Sequence, residues 1–179
     1  LALGLPDWRA AALGAAIANV FERTADELSA ETRATLEEFL RGLPRRFAEL
    51  AACGLADTLI HGDFHPGNFR GRGAPLTLLD WGDSGIGHPL LDQAAFLDRV
   101  PRDVRERVRE HWLHLWREAV PSSDPGRASA LLGPVAAARQ AVVYRRFLDG
   151  SEPSEHPYHR LDPAQWFGFN VTLMKRYGS

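Results

Sequence analysis

The sequence predicts a mostly α-helical domain with a small β-hairpin or sheet set into its middle. Three observations carry that expectation. Apolar residues recur at helical spacing over residues 7–52 and again beyond Pro89. Between these stretches the texture changes: Thr58-Leu59-Ile60, Asn68-Phe69-Arg70 and Leu76-Thr77-Leu78-Leu79 are short strand-like runs separated by Gly- and Pro-rich turns. The chain has 179 residues, 45% hydrophobic and 25% charged, which suits one domain with a proper core and is short for two.

In chain order, Asp7 is expected to cap a first helix running to about Leu28, with Trp8, Ala12, Ala15, Ala16, Val20 and Phe21 on one broad apolar face. Ser29 or Thr32 starts a second helix, along which Leu36, Phe39, Leu40 and Leu43 recur at helical spacing. Gly42 and Pro44 are expected to break it, and Pro44 suits the first turn of a third helix ending near Gly54. After the strand-like region, helices are expected over about 89–99, 102–119, 125–148 and 162–176, with 149–161 as the long loop of the second half. Arg105, Glu106, Arg109 and Glu110 read as a solvated helix face without function. The chain therefore divides into leading helices over 1–57, a loop-and-hairpin region over 58–88 and a helical part over 89–179.

Composition narrows the function classes. A formal net charge of −2 gives no basis for nucleic acid as a partner, since phosphate backbones are held by clustered positive charge. Lys175 is the only lysine among the 21 basic residues. Cys53 is the only cysteine, so no disulfide closes within the chain, and a reducing, cytoplasmic setting is expected. No apolar run approaches the roughly 20 residues of a membrane helix, and the N-terminus lacks a secretory pattern. The chain begins at Leu1 rather than Met, which fits a piece of a longer protein.

The chemistry concentrates between His61 and Asp92. His61-Gly62-Asp63-Phe64-His65-Pro66-Gly67-Asn68 fits H-x-D-x-x-x-x-N, and Leu78-Leu79-Asp80-Trp81-Gly82 is an apolar strand ending in D-x-G. That is the layout of a phosphoryl-transfer catalytic loop followed by a metal-binding aspartate. Transfer from ATP has a loose transition state, so the protein mainly aligns groups and neutralises charge. A carboxylate must reach the attacking hydroxyl, and Asp63 is placed for that. Mg²⁺ takes oxygen ligands, for which Asp80 offers a carboxylate and Asn68 a carbonyl. Pro66 and Gly67 are expected to prevent a helix between Asp63 and Asn68, and the hairpin of 68–70 with 76–79 brings Asn68 and Asp80 to one end.

HGDFHPGN followed by LLDWGDSGIGHPLLD resembles the aminoglycoside phosphotransferase family, relatives of choline and homoserine kinases. The specific match covers about 30 residues, and the flanking helices agree in kind and number. The resemblance implies the C-terminal lobe of a protein-kinase-like α+β fold, with Mg²⁺ as cofactor and ATP or another nucleoside triphosphate as phosphoryl donor. It implies a small molecule as the hydroxyl acceptor, with antibiotic resistance as one setting. By the same resemblance His61 joins Asp63 in the catalytic loop, chiefly to orient it, and Asp92 braces that loop from a helix start. A helix-start acid favoured by the dipole is the alternative for Asp92. His65 reads as a loop-structuring residue, with substrate or phosphate contact as its alternative. Asp83 and His88 read as turn residues, and Trp81 as packing beneath the metal site.

The nucleotide-binding features of such folds are not in this chain. Gly71-Arg72-Gly73 and Gly85-Ile86-Gly87 each lack a third glycine, and Lys175 lies in the final helix. An N-terminal nucleotide lobe is therefore expected as a partner elsewhere in the same protein, and the isolated chain is expected to be inactive. Three other readings stand beside this one. A metal-dependent hydrolase would use His61, Asp63 and His65, with Asp80 and His88 as further ligands, but leaves Asn68 without a part. A kinase-like binding module would be expected to have lost the loop or the metal aspartate, and both are present. A protein kinase would carry Ala-Pro-Glu after the metal aspartate, which does not occur here. For the acceptor, Glu152, Glu155 and Asp162 are candidate carboxylates for an aminoglycoside, and Trp112, Trp116, Tyr144 and Trp166 are candidates for an aromatic pocket. A solvated loop and a helical core are the respective alternatives.

Overall fold

The computed structural model describes residues 4–177. It forms two compact units, one from residues up to Arg9 with Glu49–Leu132, the other from Ala10–Ala48 with Gly133 onward.

The first unit carries the whole loop-and-hairpin region. Strand β1 is Asp7–Trp8, so these residues do not begin the first helix. The Asp7 carboxylate accepts from the backbone N–H and the guanidinium of Arg9, and these bonds hold its pKa down at about 2. Strand β2 is Thr58–Ile60, as the apolar run suggested. Strands β3 (Phe69–Arg70) and β4 (Thr77–Leu78) make the expected hairpin, registered Phe69 to Leu78 and Arg70 to Thr77. Strand β5, Gly85–Gly87, was read in the sequence only as an incomplete glycine motif. It is the centre of a three-stranded sheet, parallel to β1 and antiparallel to β2. Its glycines are a packing requirement. A Cβ at Gly85 would lie 2.5 Å from the Trp8 ring and 2.6 Å from the Pro6 carbonyl, and one at Gly87 would lie 2.9 Å from Trp8 Cβ.

Two helices follow in this unit. The first begins at Leu91 and ends at Arg99, and the second is Arg102–Ala119. Its core takes in Trp8, Ile60, Leu90, Leu91 and Leu113. On Arg102–Ala119, Arg109 pairs with Glu106 and Glu110 on the solvent side, the face read as functionally silent.

The second unit is helical. Numbered through the chain, α1 is Ala10–Thr24 and α2 is Ala30–Ala52. Then α3 is Leu91–Arg99, α4 Arg102–Ala119, α5 Pro125–Gly150, α6 His156–His159 and α7 Asp162–Tyr177. Helix α1 buries Val20 of the expected face, but Leu13 and Ile17 take the place of its alanines, because the larger side chains gain more from leaving water. Ser29 caps α2, its Oγ accepting the Thr32 N–H at 3.1 Å. Pro44 does not break this helix. It is exposed, so the carbonyl it deprives of a partner lies on the solvent side, while Leu36, Phe39 and Leu43 hold the opposite face in the core. Pro134 likewise sits inside α5, where the buried Asn170 of α7 donates to its carbonyl at 2.6 Å. The loop expected over 149–161 contains α6, and it opens on Asp149, whose carboxylate accepts a two-pronged hydrogen bond from Arg23.

Candidate functional site

The site lies within the first unit, on the segment between β2 and β3 and on the turn after β4. His61 is buried, with 2% of its surface exposed, and three hydrogen bonds fix it. Its backbone N–H donates to Asp92 Oδ2 at 2.7 Å. Its Nε2 lies 2.8 Å from the Leu79 carbonyl and must be the protonated nitrogen, since a carbonyl can only accept. Its Nδ1 then accepts the Asp63 N–H at 3.3 Å. Both ring nitrogens are thus engaged by backbone, and His61 ties the loop to the strand leading into Asp80.

Asp92, in the first turn of α3, receives two adjacent N–H groups. Besides His61, the Gly62 N–H donates to Oδ1 at 2.9 Å. A carboxylate with two acceptor oxygens suits this task where an amide would not.

Asp63 is held from one side. Its Oδ2 accepts from Asn68 Nδ2 at 3.2 Å and from His65 Nε2 at 3.2 Å. His65 donates without being charged, because its Nδ1 accepts the Gly67 N–H at 3.0 Å and leaves the proton on Nε2. Oδ1 of Asp63 has no hydrogen bond among the described residues, and the side chain is 38% exposed. Asn68 Nδ2 also donates to the Asp63 carbonyl at 2.9 Å. With its amide nitrogen spent on Asp63, the Asn68 side-chain oxygen is left for another partner.

Pro66 and Gly67 do not prevent helical structure, as the sequence reading had it. Pro66–Asn68 is one turn of 3₁₀-helix with His65 as its N-cap. Proline is compatible with a first helical position, where no N–H is needed. Gly67 is required by the cap: a Cβ there would lie 2.7 Å from the His65 ring.

Asp80 follows the residue that joins the two halves of the site. Leu79 donates its N–H to the Asn68 carbonyl at 2.9 Å, and its own carbonyl accepts from His61. Asp80 adopts φ +63, a left-handed conformation that Asp tolerates better than most residues at a cost of about 1–2 kcal/mol. Its exposed carboxylate makes no hydrogen bond or ion pair among the described residues. The donors offered for a cation are therefore an amide oxygen and a free carboxylate, the hard oxygen chemistry that suits Mg²⁺. No group of three or more His, Cys, Asp or Glu side chains is gathered as a metal site among the described residues.

The neighbouring residues fall as follows. Trp81 is half exposed and leans on His61 at 4.8 Å between ring centroids. His88 is buried and accepts the Leu90 N–H at 3.2 Å; burial pushes its pKa down to about 4. The turn reading holds for its backbone but did not foresee its burial. Phe64, from the same loop as Asp63, meets Phe69, Phe96 and Trp112 at 5.2–5.5 Å. The helical spacing of Trp112 and Trp116 gave a hint of this cluster, but Phe64 and Phe69 gave none. In the second unit, Tyr144 and Trp166 stack at 6.3 Å, and Asp162 is bonded to His159 at 2.8 Å.

Residues 2–131 match the model of the phosphotransferase enzyme family. No curated protein matches the chain. Among solved structures, the chain is similar to a choline/ethanolamine kinase family protein from Mesorhizobium loti, with a TM-score of 0.59 and 18% identity. The likeness covers 90% of this chain and 53% of that one, so the chain spans about half the length of its structural relative. At that identity the likeness shows a shared kinase-like fold. No helix among the described residues is long and apolar enough to cross a membrane.

Proposed function

Because the chain belongs to the phosphotransferase enzyme family, we propose that it is the catalytic-loop lobe of an ATP- and Mg²⁺-dependent phosphotransferase acting on a hydroxyl of a small molecule. The observation that carries this reading is the state of Asp63: Oδ2 clamped by Asn68 and His65, Oδ1 unengaged. A carboxylate held on one oxygen and open on the other is oriented to accept one hydroxyl hydrogen. The acceptor hydroxyl donates to Oδ1, and its oxygen bonds to the γ-phosphorus as the phosphorus–oxygen bond to ADP breaks. The proton passes to Asp63.

Asn68 and Asp80 are the residues that would hold Mg²⁺, which when bound neutralises charge on the phosphates. His61 and Asp92 act through position. Asp92 fixes the backbone of His61 and Gly62 just before Asp63, and His61 fixes Leu79 just before Asp80. Lys175, the one lysine, pairs with Glu31 at 3.0 Å and takes no part. The remaining phosphate contacts and the base pocket are assigned to an N-terminal lobe of the same protein. The chain alone is therefore expected to fold and to bind MgATP weakly.

The test is a panel of hydroxyl acceptors offered to the complete protein with ATP and Mg²⁺, read as ADP release and as phosphorylated product by ³¹P NMR. Acceptor-dependent product that vanishes without Mg²⁺ is expected. ADP release that never depends on an acceptor would reject the transferase reading.

A further inference from the structure

A cavity of about 550 Å³ opens in the unit that carries the catalytic loop, walled chiefly by Phe64, Phe69, Phe96, Trp112, Leu115 and Trp116. Phe64 directly follows Asp63, and Phe69 directly follows Asn68. The wall thus begins one Cα step, about 3.8 Å of backbone, from each of two site residues. Helices α3 and α4 supply the rest of it.

The rings hold one another in place. Phe64 meets Phe69 at 86° and Trp112 at 84°, and Phe96 meets Trp112 at 60°, all within 5.5 Å. Mutual edge-to-face contacts of this kind fix ring orientation. The five aromatic residues of the wall are nonetheless only half-buried, all facing one hollow. The hollow is almost wholly apolar, as small-molecule pockets predominantly are. The volume lies within the range of small-molecule pockets.

We propose that this cavity receives the body of the acceptor, and that the acceptor is a neutral, predominantly apolar alcohol. The inference rests on the phosphotransferase reading above. No carboxylate lines the wall, and His111 is its only titratable side chain. An amino sugar would bring several positive charges to an apolar wall with no opposite charge to meet them. Ring faces attract a single cation by about 0.5–2 kcal/mol, but some faces of this wall are already taken by the edges of neighbouring rings. A neutral alcohol meets no such penalty. Its apolar body fills the hollow, and its single polar end is the hydroxyl that Asp63 Oδ1 would accept. The transfer is then the one already written: the alcohol oxygen bonds to the γ-phosphorus of ATP, ADP leaves and the proton goes to Asp63.

The test begins with binding to the chain itself, free of any need for turnover. 4-Phenylbutan-1-ol, choline and kanamycin are titrated separately, read by quenching of tryptophan fluorescence and by calorimetry. Trp112 and Trp116 stand in the wall and report occupancy. Leu115→Glu places a charge on the wall at a residue 50% exposed, so the fold tolerates it; far-UV circular dichroism checks that. The expected result is saturable binding of the alcohol, weakened at least about tenfold by Leu115→Glu, with weaker or no binding of choline and kanamycin. Absence of saturable alcohol binding, binding indifferent to Leu115→Glu, or preference for either cation would overturn the inference. The complete protein with ATP and Mg²⁺ then separates the two readings. Phosphorylation of the alcohol supports both. Phosphorylation of choline or kanamycin alone overturns the apolar acceptor and leaves the phosphotransferase standing. Alcohol binding with no acceptor of any class phosphorylated overturns the phosphotransferase reading and the acceptor assignment with it.

Discussion

Lowering the pH from 7 towards 4 sets the burial of His88 against its basicity. The ring is 6% exposed, its Nδ1 accepts the Leu90 N–H, and its Nε2 finds no hydrogen-bond partner among the described residues. Burial lowers its pKa from the ordinary histidine value of 6.5 to about 4. Above pH 6.5 the ring is neutral in both folded and unfolded chains, so it adds no pH dependence. Between 6.5 and 4 the unfolded chain takes up a proton that the folded chain refuses, so stability falls as pH falls. Below about 4 the folded form titrates too and the loss levels off. At 1.36 kcal/mol per unit, the window of roughly 2.5 units amounts to about 3 kcal/mol. For a chain of this length that is about 6–12 °C in Tm. Thermal unfolding between pH 7 and 4.5 checks it, with His88→Asn as the comparison, because Asn keeps an acceptor for the Leu90 N–H and cannot charge. The wild-type Tm should fall more steeply than the variant's across this window. Asp7 and Asp149, both lowered to about 2 by arginine hydrogen bonds, lose their contribution only below the ordinary carboxylate range. Parallel curves for wild type and His88→Asn would refute the argument.

Three further outcomes follow from packing and hydrogen bonding. Gly85→Ala should destabilise the chain by about 1–3 kcal/mol, since the new methyl meets the Pro6 carbonyl and the Trp8 ring; urea unfolding would show it, and an unchanged midpoint would mean that β1 can move aside. Asp92→Asn should cost about 1.5–3 kcal/mol, because one N–H of the His61–Gly62 pair then faces an amide nitrogen instead of an oxygen. Hydrogen exchange at Gly62 should speed up in that variant, and unaltered protection would show that Asp92 does not brace the loop. In the complete protein, Asp80→Ala should weaken Mg²⁺-dependent nucleotide binding as well as turnover, which calorimetry with and without Mg²⁺ would separate.

The candidate site was legible in the sequence because its parts are local. Asp63 and Asn68 sit five residues apart on one loop, and Asp80 follows a strand that pairs back onto Asn68. The same holds for helix α4, whose limits at 102 and 119 follow from its spacing and its flanking prolines. What escaped was decided at a distance. Gly85-Ile86-Gly87 reads as an incomplete glycine motif until Trp8, almost 80 residues earlier, is laid against it. Asp7 is a plausible helix cap by its neighbours and a strand residue by its partner Ile86. Pro44 reads as a helix breaker because sequence does not reveal that it faces solvent while Leu36, Phe39 and Leu43 anchor the other side. The capping role of His65 left a trace in the Pro-Gly that follows it, but that dipeptide also spells an ordinary turn.

The most direct test of the central claim is single-turnover phosphoryl transfer by the complete protein carrying Asp63→Asn, with the affinity for MgATP measured alongside. The amide keeps an oxygen for Asn68 and His65 to bond but cannot take a proton from the acceptor. The account predicts a transfer rate lower by about 10²–10⁴-fold with nucleotide affinity close to that of the wild type. Near-normal transfer in the variant, or a loss confined to nucleotide binding, would contradict it.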